Sequence, residues 1–374
     1  MKVVAAIDSF KGSATSAQMN QAFFQKIAAS ELTTVSVPIA DGGEGTMAAI
    51  QAACGGSYQK ITTIDLLGRP LTTEYLLTKI NGQPTAIIES AKVIGLNLIT
   101  PSSTTIQQAS SYGLGLVLRQ VIKTGCQRIY LTLGGSGTSD GGLGLLAGLG
   151  VKLTGQSLNQ LNPLNSFQGI DLAPIKALLA TVDLTALVDV TNPYAGPTGF
   201  AHVFGIQKGG NLPILKQQDQ QAKKVVTVVK KQYQLDLNQL AGAGAAGGLG
   251  GALALIGAKL APGFATISQL VQLPRACQDA DLLITGEGQI DAQTDGGKVP
   301  LGVAELGRKM KIPVLAICGK RNAQVGCLSK LTLGIYCIQT GPVSLSVALE
   351  HERTLSNVSE LGLNLLQTFF HQHF

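Results

Sequence analysis

The stretch that settles the architecture is residues 57–90, "SYQKITTIDLLGRPLTTEYLLTKINGQPTAIIES". Three runs rich in β-branched residues alternate apolar and polar side chains. The turn signals Gly68-Arg69-Pro70 and Asn81-Gly82 separate them. That is the pattern of antiparallel hairpins. The flanks have another rhythm. Residues 2–7, "KVVAAI", read as a short apolar strand, and 14–29 as a helix with Ser13 or Thr15 as its cap. "TTVSVP" (33–38) reads as a second strand and 44–54 as a second helix. A βαβα opening predicts a parallel, doubly wound sheet. The rhythm returns late, with strands at 281–285, 313–318 and 331–338 and helices at 299–309 and near 354–370. The two ends therefore read as one parallel α/β domain and the middle as an insertion.

Composition narrows the class. With 374 residues the chain has room for two α/β domains, and 45% hydrophobic residues can build a large core. Charged residues at 13% argue against disorder. The net charge of +6 is spread over scattered Lys and Arg, Trp is absent and aromatics are 5%, so a nucleic-acid platform is not expected. A mild positive field suits small anionic substrates. Six cysteines (54, 126, 277, 318, 327 and 337) lack paired metal spacing and read as reduced, buried thiols of a cytoplasmic protein. The uncharged stretch 240–258, "LAGAGAAGGLGGALALIGA", is too rich in Gly and Ala for a membrane span; a closely packed buried helix is expected there.

Chemistry-bearing residues cluster in glycine-rich turns after predicted strands, where open α/β sheets bind ligands. "IDSFKGS" (7–13) supplies Asp8 and Lys11, and "ADGGEGT" (40–46) supplies Asp41 and Glu44. "LTLGGSGTSDGGLG" (131–144) carries Gly134, Gly135, Ser136, Gly137, Thr138, Asp140 and Gly141 into a predicted short helix, an arrangement whose backbone N–H groups can hold an anion. Taken alone, this block fits a packed corner as well as an anion cradle. "VDVTNPYAGPTG" (188–199) adds Asp189, "FGIQKGG" (204–210) adds Lys208, and "TGEGQIDAQTDGGK" (285–298) adds Glu287, Asp291, Asp295 and Lys298. Carboxylates beside hydroxyls and lysines suit Mg²⁺ and phosphate. Of the four histidines, His351, His371 and His373 read as solvated and His202 as structural, so a general base would be an Asp. "GAGAAG" (242–247) matches a dinucleotide fingerprint but follows a polar run, with the next acid at Asp279; the NAD reading is poor.

In this order, "DSFKGS" (8–13), "PIADGGEGT" (38–46), "LGGSGTSDGG" (133–142), "DVTNPYAGPTG" (189–199), "VFGIQKG" (203–209), "GAGAAGGLG" (242–250) and "ITGEGQIDAQT…GK" (284–298) resemble the bacterial glycerate kinase family over nearly the whole chain. The resemblance implies ATP-dependent, Mg²⁺-requiring phosphorylation of D-glycerate, with 2-phosphoglycerate favoured over 3-phosphoglycerate. It also implies a Rossmann-like parallel-sheet domain built from both termini (1–65 and 280–374), an inserted mixed-sheet α/β domain (66–279) and an active site in the cleft between them. Family members often carry Ala-Thr-Asn where this chain has Gly137-Thr138-Ser139, and Arg at the position of Gln289. Base and metal ligands are expected from Asp8, Asp41, Asp140, Asp189, Glu287 and Asp291. Asp189 is the first choice for the base, and Asp41, Glu287 and Asp291 for the metal. Lys11, Lys208 and Lys298 would meet phosphate or carboxylate, and the 134–141 loop the nucleotide. Two alternatives stand beside this: a kinase of another small hydroxy acid or sugar acid, and a non-catalytic sensor of a nucleotide or sugar acid.

Overall fold

Thr15 accepts from the backbone of Gln18 while the Gln18 side chain accepts from Thr15, a capping box that starts the helix Ser16–Phe24 behind the first strand. The computed structural model describes residues 1–27, 32–155, 161–291, 294 and 296–370; Asp295, His371 and His373 lie outside them. Thirteen strands are found among the described residues: β1 (Lys2–Ile7), β2 (Thr33–Ser36), β3 (Ser57–Ile64), β4 (Pro70–Ile80), β5 (Gln83–Glu89), β6 (Arg128–Thr132), β7 (Lys152–Thr154), β8 (Gly169–Asp171), β9 (Asp183–Val188), β10 (Lys259–Pro262), β11 (Leu282–Ile290), β12 (Val314–Arg321) and β13 (Gly334–Cys337).

The chain divides into two units. The terminal unit comprises Met1–Asp41, Ala48–Gly55 and Gly263–Phe374. Its sheet has the order β13-β12-β11-β1-β2 and is parallel throughout. Val3, Ala5 and Ile7 of β1 pack with Leu282, Ile284 and Ile317, with Met19 and Phe23 of the first helix, and with Val358 and Leu366 of the helix His351–Phe369. The inner unit comprises Gly42–Met47 and Gly56–Pro262. Its six-stranded sheet, β10-β9-β6-β5-β4-β3, is parallel from β10 to β5 and antiparallel from β5 to β3. Asn81 and Gly82 both take positive φ (52° and 76°) and close the β4–β5 hairpin in two residues, the turn their sequence signals.

Both expected domain boundaries shift. Residues 57–64 pair along their whole length with β4, so β3 belongs to the inner sheet and not to the terminal unit. At the other boundary the helices Gly263–Leu270 and Leu273–Ala276 join the terminal unit, where the Phe264 ring lies so close to Gly302 that no Cβ would fit between them. The strands β11 and β12 also run further than expected. The glycines at 286, 288 and 319 do not end them, and both continue to residues 290 and 321. The Gly/Ala-rich stretch forms the helix Ala245–Leu255, interrupted by left-handed backbone at Ala246, Gly247 and Gly248. No helix among the described residues is long and apolar enough to cross a membrane.

Candidate functional site

In the terminal unit, three carboxylates meet at the C-terminal edge of the sheet. Asp8 follows β1 and donates its N–H to Gly286 O of β11 at 2.9 Å, one residue before Glu287. Ser16 fixes the neighbouring segment: its hydroxyl donates to Ile7 O at 2.5 Å and accepts from Ile39 N–H at 2.8 Å, so the chain leaves that edge with Asp41 close by. Asp8 is buried (7% exposed) and accepts from Ser9 N–H at 2.7 Å. Burial, then the charge of Asp41, then that of Glu287 push its carboxyl well above the ordinary value of 3.8; the Ser9 N–H and Lys11 only moderate this. Glu287 is buried to the same degree. One oxygen accepts from Thr294 Oγ1 at 2.6 Å and the other from Lys298 Nζ at 2.8 Å. Burial still raises its carboxyl above the ordinary value, with Asp41 adding to the rise.

These groups line a cavity of about 840 Å³ together with Lys11, Lys320 and Arg321. Asp291 lies just past β11, where its carboxylate accepts from Gln289 Nε2 at 2.7 Å. Its N–H donates to Thr294 Oγ1 at 3.2 Å, so Asp291 belongs to the turn that aims Thr294 at Glu287. Among the described residues no group of three or more His, Cys, Asp or Glu side chains is arranged to hold a metal ion by itself.

The expected residues of the inner unit are placed differently. Asp140 has no exposed surface and is saturated by donors: Ser111 N–H (2.6 Å), Ser111 Oγ (2.8 Å), Gly144 N–H (3.2 Å) and Gly142 N–H (3.0 Å). Burial raises its carboxyl nonetheless. Lys208, 2% exposed, reaches beneath the same loop to Thr138 O at 2.5 Å and Ser136 Oγ at 3.3 Å. Burial lowers its ammonium from 10.5 to about 8, with the nearby Asp140 charge opposing the fall. Ser136, Gly137, Thr138, Ser139, Asp140 and Gly141 are all buried; only Gly134 and Gly135 are exposed.

What these glycines accommodate is mostly other backbone. Gly141 (φ 68°) donates to Gly247 O at 2.9 Å, and a Cβ on Gly247 would overlap Thr138 O. The "GAGAAG" block, discounted as a dinucleotide site, is thus the packing partner of the 134–142 loop. The helix that follows, Leu143–Leu149, has only seven residues. The structure therefore shows Asp140 and Lys208 as internal anchors of this loop. Asp189 sits exposed just beyond β9.

Sequence reasoning missed several groups. Lys320 and Arg321 end β12 opposite Gln289 and Ile290, and the strand-edge rule applied to 313–321 would have found them. Thr294 stood inside a quoted block without being singled out. Glu89, 3% exposed at the end of β5, accepts from Met47 N–H at 2.8 Å and is raised by burial; as one acid closing an apolar run, it gave no local signal. The thiols are less uniformly buried than expected: Cys126, Cys277 and Cys318 are buried, Cys54 is half-buried, and Cys327 and Cys337 are exposed.

Comparison with known proteins supplies the relationship. A solved chain assigned as glycerate kinase 2 from Salmonella typhimurium LT2 superposes with a TM-score of 0.83 at 31% identity, covering 99% of this chain and 98% of that one. Glycerate 2-kinase from Escherichia coli K12 is 36% identical over 334 residues, 87% of each chain. Glycerate kinase from Bacillus subtilis 168 is 32% identical over 383 aligned positions, covering 99% of this chain and all of the other. The model of the glycerate kinase family matches residues 3–369, and the chain belongs to that family.

Proposed function

We propose that this chain transfers the γ-phosphoryl group of ATP, in the presence of Mg²⁺, to a hydroxyl of D-glycerate, with 2-phosphoglycerate as the favoured product. Family membership makes the protein a phosphotransferase with an alcohol group as acceptor. The nucleotide, the metal and the position of attack are the parts proposed. The Escherichia coli relative, named a glycerate 2-kinase, supports the position.

The observation that carries the chemistry is the crowding of Asp8, Asp41 and Glu287, in which Asp41 raises both of the others. Like charges held this close favour a cation, and the donors are all oxygen, the ligand chemistry of Mg²⁺. Mg²⁺ needs only one or two protein carboxylates, because waters and phosphate oxygens complete its shell. Asp41 and Glu287 fit that part, with Asp291 behind them; the ion would neutralise charge building on the transferred phosphoryl group. Asp8 then serves as general base for the attacking hydroxyl. Its carboxyl is raised further than that of Glu287, and a base works best with its pKa brought toward the operating pH. This assignment prefers Asp8 to the exposed Asp189. Lys11 and Lys298 supply positive charge for the substrate carboxylate or the phosphate. A cytoplasmic location belongs to the same proposal, on the reading of the six cysteines as reduced thiols.

A coupled assay of ADP release with ATP, Mg²⁺ and D-glycerate tests the activity, and phosphorus NMR of the product tests the position. Absence of ADP above the blank from folded protein refutes the kinase. Ligand-induced thermal stabilisation without turnover would instead mark a sensor. A panel of hydroxy acids and sugar acids reads the acceptor range.

A further inference from the structure

The cavity of the terminal unit has walls of two kinds. Besides the carboxylates, its lining includes the segment 337–349, which presents Val343, Leu345 and Leu349 to solvent at 38%, 74% and 37% exposure. So much bare aliphatic surface in one short segment marks a place where something apolar docks. Within the same wall the Gln339 amide oxygen is buried and has no hydrogen-bond partner. Lys320 and Arg321, the last two residues of β12, also line the cavity, and both are exposed. Among the described residues neither has an acidic partner, whereas Lys298 is paired with Glu287.

An occupant has to satisfy each of these features. It must carry several negative charges, offer an apolar face and present a hydrogen-bond donor. Glycerate, with three carbons and one carboxylate, has no apolar face and would leave most of about 840 Å³ empty. A purine nucleoside triphosphate with an exocyclic amine meets all three requirements.

We propose that this cavity is the nucleotide site: Lys320 and Arg321 hold the polyphosphate, Val343, Leu345 and Leu349 cover the purine, and Gln339 accepts from its amine. The proposal rests on the kinase reading above and assigns the nucleotide to the terminal unit instead of to the 134–141 loop. The arginine fork matches phosphate oxygens bidentately, and aliphatic side chains on a purine face exclude water from it.

Cys337 provides a reporter on the unaltered protein, because it is exposed and lines this cavity, whereas Cys327 is exposed and does not. Labelling with N-ethylmaleimide, read peptide by peptide in a mass spectrometer, should show ADP slowing modification of Cys337 at least about tenfold and leaving Cys327 unchanged. D-glycerate alone should protect neither. In calorimetric titration, Lys320→Ala with Arg321→Ala should weaken ADP about ten- to hundredfold. Leu345→Ala should weaken ADP about three- to tenfold while leaving inorganic triphosphate unaffected. All three substituted residues are exposed, so the variants keep the wild-type far-UV circular dichroism. Unprotected Cys337 with unchanged ADP affinity in the variants overturns the proposal, and an enzyme that still turns over ATP and D-glycerate would then keep the kinase reading intact. Protection of Cys337 by ADP without turnover would overturn the kinase and leave this site standing. An unmodified protein that binds no ADP refutes both.

Discussion

Lys208 gives the sharpest physical test of the inner unit. Burial lowers its ammonium from 10.5 to about 8, so above pH 8 the folded chain gives up a proton that the unfolded chain retains until 10.5. The unfolded state binds more protons across that interval, so stability rises with pH there; the contribution is complete above 10.5 and is lost as pH falls through about 8. At 1.36 kcal/mol per tenfold change in proton affinity, the whole effect is about 3 kcal/mol, most of which falls between pH 7 and 10. Lys208→Met keeps the apolar stem and removes the titrating group. It also removes the donor to Thr138 O, a loss that does not depend on pH. Urea unfolding of both proteins, followed by far-UV circular dichroism from pH 7 to 10, isolates the lysine as the difference between them. The wild type should gain about 2–3 kcal/mol relative to Lys208→Met over that range. A difference that stays flat with pH would refute the picture of a charge enclosed beneath the glycine loop.

Three further outcomes follow from the geometry. Asp8→Asn should lower kcat by about 10²- to 10⁴-fold as a lost general base. Because the Asp8 carboxyl is raised, folding favours its protonated form and stability drains away as pH rises from 3.8 through the folded value; the Asn variant should therefore melt above wild type at pH 8 in differential scanning calorimetry, with the gap closing in acid. Asp140→Ala leaves four buried donors without an acceptor and should cost about 3–5 kcal/mol in urea unfolding; a loss below about 1 kcal/mol would contradict the anchor role. Gly141→Ala must hold a left-handed backbone against the Tyr194 hydroxyl and should cost about 2–4 kcal/mol, whereas Gly135→Ala, also left-handed but exposed and with Ala91 Cβ at 3.4 Å, should cost about 1–2 kcal/mol.

The hairpins of 57–90 were legible because a two-residue Asn-Gly turn and strand alternation are local properties. The domain boundaries were not, because whether residues 57–64 join one sheet or the other depends on pairing with β4, and 263–276 on a Phe264 contact made across nearly forty residues. Glycine blocks misled in both directions. Gly286 was read as the start of a turn, yet its missing Cβ lets Ile317 O approach and β11 continue through Glu287. The 134–141 block raised the question of cradle or corner, and the residues that answer it, Gly247 and Gly248, lie more than a hundred positions away. A residue without a side chain looks the same whether it makes room for a phosphate or for another backbone. That Asp8, Asp41, Glu287 and Lys298 line one cavity at a sheet edge was legible because the sheet-edge rule needs only strand order, which the sequence displays.

The position of β1 has a consequence for how the chain is made. It lies inside its sheet, and its partner β11 begins about 280 residues later, with Val3 opposite Leu282. At ribosomal rates of about 5–20 residues per second, this apolar strand waits roughly 15–55 s with one edge open. The inner unit, whose strands all lie between those two partners, can close in the meantime. Assembly on the ribosome is thus expected to run from the middle of the chain outward. During that interval "VVAAI" is the segment that most needs a chaperone.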